Sequence, residues 1–284
     1  MSRVRRALLS WLNRAGQRMP RSWLRRIADF PGMLRLFTAL SRDQIGFVTT
    51  PEGFSLALNP LLHANLLAGG GLAGYEPDLQ RAIREYARPG MAAYDIGANV
   101  GVFSLLFWSC VRGDGGCVYA FEPEPNNTAC FERTLARDRS LGIVLSRQAV
   151  GAAPGVGRFD RRGGAFSGRL VGDGGAYAPT GNIAQVETTS VDALVLEHGC
   201  RAPDIVKIDV EGNEGLVLDG MAEVMRRFHP VILCEIHTHL GDSGERVLER
   251  LFRHDYRVML LDGTSLRPGD PGLGDVRGHV IAVV

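Results

Sequence analysis

From residue 76 onward, short apolar runs alternate with longer amphipathic stretches. Glu76–Arg88 has the spacing of a helix that Pro89-Gly90 terminates, and Met91–Tyr94 is a brief apolar run of the kind that forms a buried parallel strand. Val100–Val111 is apolar and long enough for a helix, and Cys117–Phe121 reads as a second strand. Pro125 opens a helix through about Asp138, and Ile143–Ala149 reads as a third strand. Three strand and helix units in a row imply parallel order. Gly151–Gly181 is rich in glycine, and short candidate strands at Val156–Asp160 and Ile183–Thr188 predict an antiparallel excursion. Its loop, around Gly163–Tyr177, is suited to covering a substrate. Ser190 then caps a helix over Val191–Glu197, followed by a fourth strand at Asp204–Asp209, a helix near Gly215–Phe228 and a fifth strand at Pro230–His237. A helix near Gly244–Arg253 leads to final strands at Tyr256–Leu261 and His279–Val284. The connection between these two is too short for a helical crossover, so they pair antiparallel.

The first strand-to-helix turn carries the chemistry: Tyr94-Asp95-Ile96-Gly97-Ala98-Asn99-Val100-Gly101, with Phe121-Glu122-Pro123 at the end of the next strand. In an open α/β sheet the crevice beyond the carboxyl ends of the strands binds ligands, and glycine lets backbone approach them closely. Glu122 there can accept hydrogen bonds from both hydroxyls of a ribose. The D-x-G-x-x-x-G spacing differs from the G-x-G-x-x-G that seats a dinucleotide pyrophosphate on a helix N-terminus, and Asp95 would repel phosphate. Asp95 suits a cationic ligand instead, such as the ammonium and sulfonium of S-adenosylmethionine. The alternative for the turn alone is an ordinary tight βα connection.

Composition narrows the picture. An apolar content of 45% over 284 residues supports a large α/β domain, and a net charge of +1 supplies no broad basic field for nucleic acid. Cys110, Cys117, Cys130, Cys200 and Cys234 are widely spaced without a C-x-x-C pair, as expected of reduced core thiols in a cytoplasmic protein. Residues 1–48 stand apart from the 49–284 body, with ten arginines against two acids around Leu8, Leu9, Trp11 and Leu12. They read as a basic amphipathic helical appendage, packed on the body or lying on an anionic membrane surface at the inner face. The uncharged stretch Phe54–Tyr75 is broken by Asn59, Pro60, His63, Asn65 and Gly69-Gly70-Gly71, and reads as strand, turn and loop rather than a membrane span.

The combination D-I-G-A-N-x-G, then A-F-E-P-x-P-x-N, then Lys207-Ile208-Asp209-Val210-Glu211-Gly212-Asn213-Glu214, with Cys234-Glu235-Ile236-His237, resembles the FkbM-type family of S-adenosylmethionine-dependent methyltransferases. The resemblance covers roughly Tyr75–His237. It implies a seven-stranded doubly wound, Rossmann-like class I methyltransferase sheet, mostly parallel with an antiparallel last strand. It also implies S-adenosylmethionine as cofactor and O-methylation of a hydroxyl on a saccharide, glycolipid or secondary metabolite. The cofactor positions are then Asp95, Gly97, Asn99, Gly101, Glu122, Pro123 and Asp209.

Strand alternation places Ile205, Lys207 and Asp209 on one side and Val206 and Ile208 on the other, so Lys207 is nearly buried. A buried ammonium needs a partner, and Asp209 or Asp95 can serve. The candidates for chemistry are Lys207, Asp209, Glu211 and His237, with Lys207 equally a structural ion pair. His237 is the first choice for general base because the ordinary histidine pKa lies near neutrality, with His239 and Glu211 as fallbacks. Asp209, Glu211, Glu235 and His237 could gather around a divalent cation, but no tight ligand spacing such as H-E-x-x-H occurs, and the adopted reading has no metal. Two alternatives remain: a non-catalytic protein that keeps the sheet and binds S-adenosylmethionine or a partner, and a nicotinamide-dependent oxidoreductase. The glycine spacing opposes the second.

Overall fold

The structure, a computed structural model, describes residues 45–60, 62–68, 70–161, 168–171, 182–238 and 243–284. Most of the basic appendage, most of the covering loop and His239 therefore lie outside the described residues. Strand β1 (Gly46–Thr49) pairs antiparallel with β2 (Ser55–Leu58), so the strand crosses the compositional boundary at residue 48. A short helix α1 (Ala64–Leu67) and a single 3-10 turn at Gly71–Gly74 follow.

The main sheet is built from β3 (Ala92–Ile96), β4 (Cys117–Phe121), β5 (Ile143–Ser146), β10 (Ile205–Ile208), β11 (Val231–Ile236), β12 (Arg257–Leu260), β13 (Ser265–Leu266) and β14 (Gly278–Val283). Its order is β13-β12-β14-β11-β10-β3-β4-β5, parallel from β11 to β5, with β14 antiparallel to both β11 and β12. The expected seven strands are present, and the correction is an eighth: the two-residue β13 pairs with β12 at the edge. The third strand also stops at Ser146 rather than Ala149. Ala149–Val150 is β6 of a separate sheet, ordered β6-β9-β7-β8, with β7 (Gly155–Asp160), β8 (Arg169–Leu170) and β9 (Ile183–Thr189). This is the expected antiparallel excursion.

Helices cover both faces of the main sheet, as a parallel sheet requires. Against one face stand α2 (Pro77–Tyr86), α3 (Val102–Val111) and α4 (Pro125–Arg137), whose Leu79, Ile83, Leu105, Phe107 and Phe131 pack on Ala93, Ile205 and Leu233. Against the other stand α5 (Val191–Leu196), α6 (Glu214–Asp219), α7 (Ala222–Phe228) and α8 (Gly244–Phe252), packing on Tyr94, Ile96, Val206 and Ile208. One helix near 215–228 was expected, and it is divided at Gly220–Met221. A Cβ on Gly220 would come within 2.0 Å of the Gly151 carbonyl oxygen, so the chain is glycine where the helix meets the second sheet's backbone. Alternation along β3 and β10 puts Asp95 and Lys207 among the apolar side chains of the first face, which sets up the polar centre of the molecule.

Candidate active site

Asp95 ends β3 with no exposed surface. Ser104 Oγ donates to its Oδ2 at 2.5 Å and Lys207 Nζ stands 3.2 Å from its Oδ1. Asp95 thus has a charge partner within the protein, the Lys207 ammonium of the neighbouring strand. Lys207 Nζ also donates to the Gly97 carbonyl at 3.1 Å and lies 3.5 Å from Asp209. Burial works to lower the Lys207 pKa, but Asp95, Asp209 and Glu76 outweigh it and raise the ammonium above its ordinary range. Lys207 therefore holds its proton and knits the ends of β3 and β10 together, the structural ion pair that the sequence reading weighed beside a catalytic role.

The glycine turn is tighter than a cofactor cradle alone would require. Gly97 has φ +78°, and a Cβ there would reach 1.8 Å from the Asp209 carbonyl oxygen; a Cβ on Gly101, at φ +94°, would strike the Phe131 ring at 2.6 Å. Both positions are glycine because protein fills the space a side chain would need, a reason the sequence assigned to ligand approach. Gly97 and Ala98 donate to the Phe121 carbonyl, and Asn99, at φ +53°, donates its backbone N–H to Glu122 Oε2 at 2.9 Å. Glu122 Oε1 accepts from the Glu124 N–H at 2.8 Å. Burial pushes Glu122 up to about 7, against the pull of these backbone donors and Asn127. The carboxylate thus stands directly against the turn, with the Asn127 side chain as a third hydrogen-bond partner beside the two backbone donors. Pro123 carries the chain on to Glu124, the N-cap of α4, whose buried carboxylate is held by Arg161 from the end of β7 at 2.7 and 2.5 Å.

A second cluster forms beyond β10 and β11. Glu211 and Gly212 adopt positive φ (54° and 95°), and Glu214 Oε1, 1% exposed, accepts from the Gly212 N–H at 2.8 Å. The same oxygen is 2.8 Å from His237 Nδ1. His237 Nε2 then lies 3.6 Å from Glu235, 3.8 Å from Glu211 and 4.0 Å from Asp209. The four residues that the sequence reading brought together around β10 and β11 do meet. Burial lowers the His237 pKa, but the Glu214 bond and the charges of Asp209 and Glu211 raise it to about 10. The charges around His237 therefore favour the imidazolium, and a ring that holds both protons donates rather than accepts. Burial works to raise Asp209, yet Lys207 and His237 hold it below the carboxylate range. Burial and the Asp209 charge push Glu235 up to about 8.

Three members of this region escaped the sequence reading. Glu214 is the last residue of the K-I-D-V-E-G-x-E stretch, and that spacing was the available signal. His279 faces Glu235 directly across the β11–β14 ladder. It follows from the antiparallel pairing once the register is known. Glu76 comes from the chain before α2 at φ +47°, and no periodicity marks it.

The Methyltransferase FkbM domain family matches residues 95–258. Hexuronic acid methyltransferase AglP of Haloferax volcanii is 30% identical over 164 residues, 57% of this chain and 62% of that protein, so the chain spans under two thirds of that relative. The 31-O-demethyl-FK506 methyltransferase FkbM of Streptomyces tacrolimicus is 29% identical over 198 residues, 61% of this chain and 75% of that protein. Among solved structures, methyltransferase FkbM of Methylobacillus flagellatus aligns with 90% of this chain and 60% of its own at 16% identity and a TM-score of 0.43. The family match takes in the glycine turn, Glu122, the Lys207–Glu214 stretch and His237, and the chain belongs to the FkbM methyltransferase family.

Proposed function

We propose that the protein is an S-adenosylmethionine-dependent O-methyltransferase acting on a hydroxyl of a saccharide, glycolipid or secondary metabolite. The observation that carries this is the placement of the Glu122 carboxylate, at the end of β4, against the Asn99 N–H of the glycine turn. A ribose hydroxyl would donate to this carboxylate, with Gly97–Gly101 and Pro123 bounding the nucleoside. Asp209, just past the carboxyl end of β10, would oppose the charge of the sulfonium. Two relatives, bearing the names hexuronic acid methyltransferase and 31-O-demethyl-FK506 methyltransferase, support a hydroxylated acceptor.

S-adenosylmethionine, when bound, would supply the methyl group to the acceptor oxygen and depart as the thioether, so this chain's residues have to align the acceptor hydroxyl and take up its proton. Alignment is the larger requirement, since orientation supplies up to about 7 to 11 kcal/mol. The hydroxyl proton passes to Glu211, the fallback that becomes first choice once His237 is charged, and His237 orients that carboxylate. The basic segment 1–48 adds affinity for anionic membrane surfaces.

Calorimetric titration tests the cofactor. Glu122→Ala is expected to weaken S-adenosylmethionine binding by about 1.5 to 3 kcal/mol, the range for hydrogen bonds to a charged group. An unchanged affinity would remove Glu122 from the ribose.

A further inference from the structure

Beside the His237 cluster, Glu76 Oε2 and Glu235 Oε2 each stand 3.5 Å from His279 Nε2. The three atoms lie within 4.8 Å of one another, and they arrive from the chain before α2, from β11 and from β14. His279 Nε2 is shut from solvent, its side chain is 11% exposed, and it makes no hydrogen bond among the described residues. An imidazole nitrogen buried between two carboxylates without a hydrogen bond is an unsatisfied arrangement that a native structure rarely keeps. The His237 cluster needs no such explanation, because Glu214 takes its Nδ1 and the charged ring faces acids. A cation bonded at about 2.1 Å to three ligands in tetrahedral array spaces them about 3.4 Å apart. The two distances of 3.5 Å at His279 meet that spacing, whereas 3.8 and 4.0 Å to Glu211 and Asp209 at His237 exceed it.

Glu76 is also held in advance. Its left-handed backbone precedes Pro77, and the turn before it is clamped by Gln80 Nε2, which donates to the Leu72 and Tyr75 carbonyls at 2.8 and 2.7 Å. A strained residue fixed by its surroundings is a common device for presenting a functional group.

We infer that Glu76, Glu235 and His279 form a binding site for one divalent transition-metal ion, with at least one coordination position left for an exogenous oxygen. One imidazole with two carboxylates favours manganese, iron or zinc over magnesium or calcium. Glu235 reaches toward both clusters, with Oε1 3.6 Å from His237 and Oε2 on His279, so the ion sits beside Asp209 and Glu211. That it orients the acceptor hydroxyl rests on the function proposed above; that it binds does not.

Full-length protein stripped with a chelator is titrated with Mn²⁺ and followed by electron paramagnetic resonance, with no cofactor or acceptor present. One equivalent is expected to bind, be displaced by Zn²⁺, and show ¹⁴N coupling from a ligating imidazole in the spin-echo spectrum. Both His279→Gln and Glu76→Gln are expected to weaken binding by more than about 100-fold, beyond the loss from an outer-shell partner. His237→Gln is expected to bind as wild type does. Absence of stoichiometric binding or of nitrogen coupling in the wild-type protein overturns the site without recourse to a variant. So does loss of the ion in His237→Gln with retention in His279→Gln. S-adenosylmethionine titrated separately tells failure of this site from failure of the methyltransferase reading.

Discussion

At the scale of single residues, the site is governed by how carboxylates and cations share a buried space. His237 is held charged by Glu214 at 2.8 Å and by Asp209 and Glu211. The ring is therefore expected to remain protonated through pH 8 when followed by NMR, and a neutral ring at pH 7.5 would refute the arrangement. Glu214→Gln removes the opposing charge and is expected to lower the titration point by about 1 to 3 pH units. The linkage has a definite sign. The folded pKa, about 10, is above the ordinary 6.5, so His237 contributes stability that is fully present below pH 6.5 and is lost as pH rises toward 10. Melting temperature should fall over that window, and His237→Gln should flatten the fall. Burial pushes Glu122 up to about 7, and the ribose contact proposed for it needs the carboxylate form. S-adenosylmethionine affinity is expected to rise with pH up to about 7 and level off above it, while Glu122→Gln shows a flat profile in calorimetry.

Elements meet at the site through glycine and through one ion pair. The turn after β3 passes under the Asp209 carbonyl, and the 1.8 Å approach at Gly97, with its φ of +78°, leaves no room for a methyl group. Gly97→Ala is expected to destabilise the fold by about 3 kcal/mol or more, read by denaturant unfolding, because both backbone conformation and packing oppose it. The second sheet is anchored by Arg161 on Glu124, whose side chain is 2% exposed while that of Arg161 is 29% exposed. Arg161→Met strands a buried acid. A loss of about 2 to 3 kcal/mol is expected, less than the roughly 3 to 5 for a fully buried pair because water reaches the guanidinium. An unchanged unfolding midpoint would show that water already carries that charge.

For the molecule as a whole, the basic segment and the body that follows it are expected to be separable in their effects. Among the described residues no helix is long and apolar enough to cross a membrane. Deleting residues 1–44 is expected to leave cofactor affinity unchanged and to reduce sedimentation with anionic vesicles, since each surface arginine contributes about 1 kcal/mol. Equal sedimentation of the two forms would return the segment to packing on the body. Hydrophobic periodicity by itself determined the βα succession, the parallel order and the antiparallel final pair, because burial on both faces writes itself into runs and alternations along the chain. The D-x-G-x-x-x-G turn, Glu122 and the K-I-D-V-E-G-x-E stretch were equally legible, since a strand end is a local feature. Only the tertiary structure decided what those groups do. It paired Asp95 with Lys207, set Glu214 against His237 and brought Glu76 to His279. Proximity across strands and the loss of water around charges depend on contacts between residues far apart in the chain, and these set a pKa that no local pattern records.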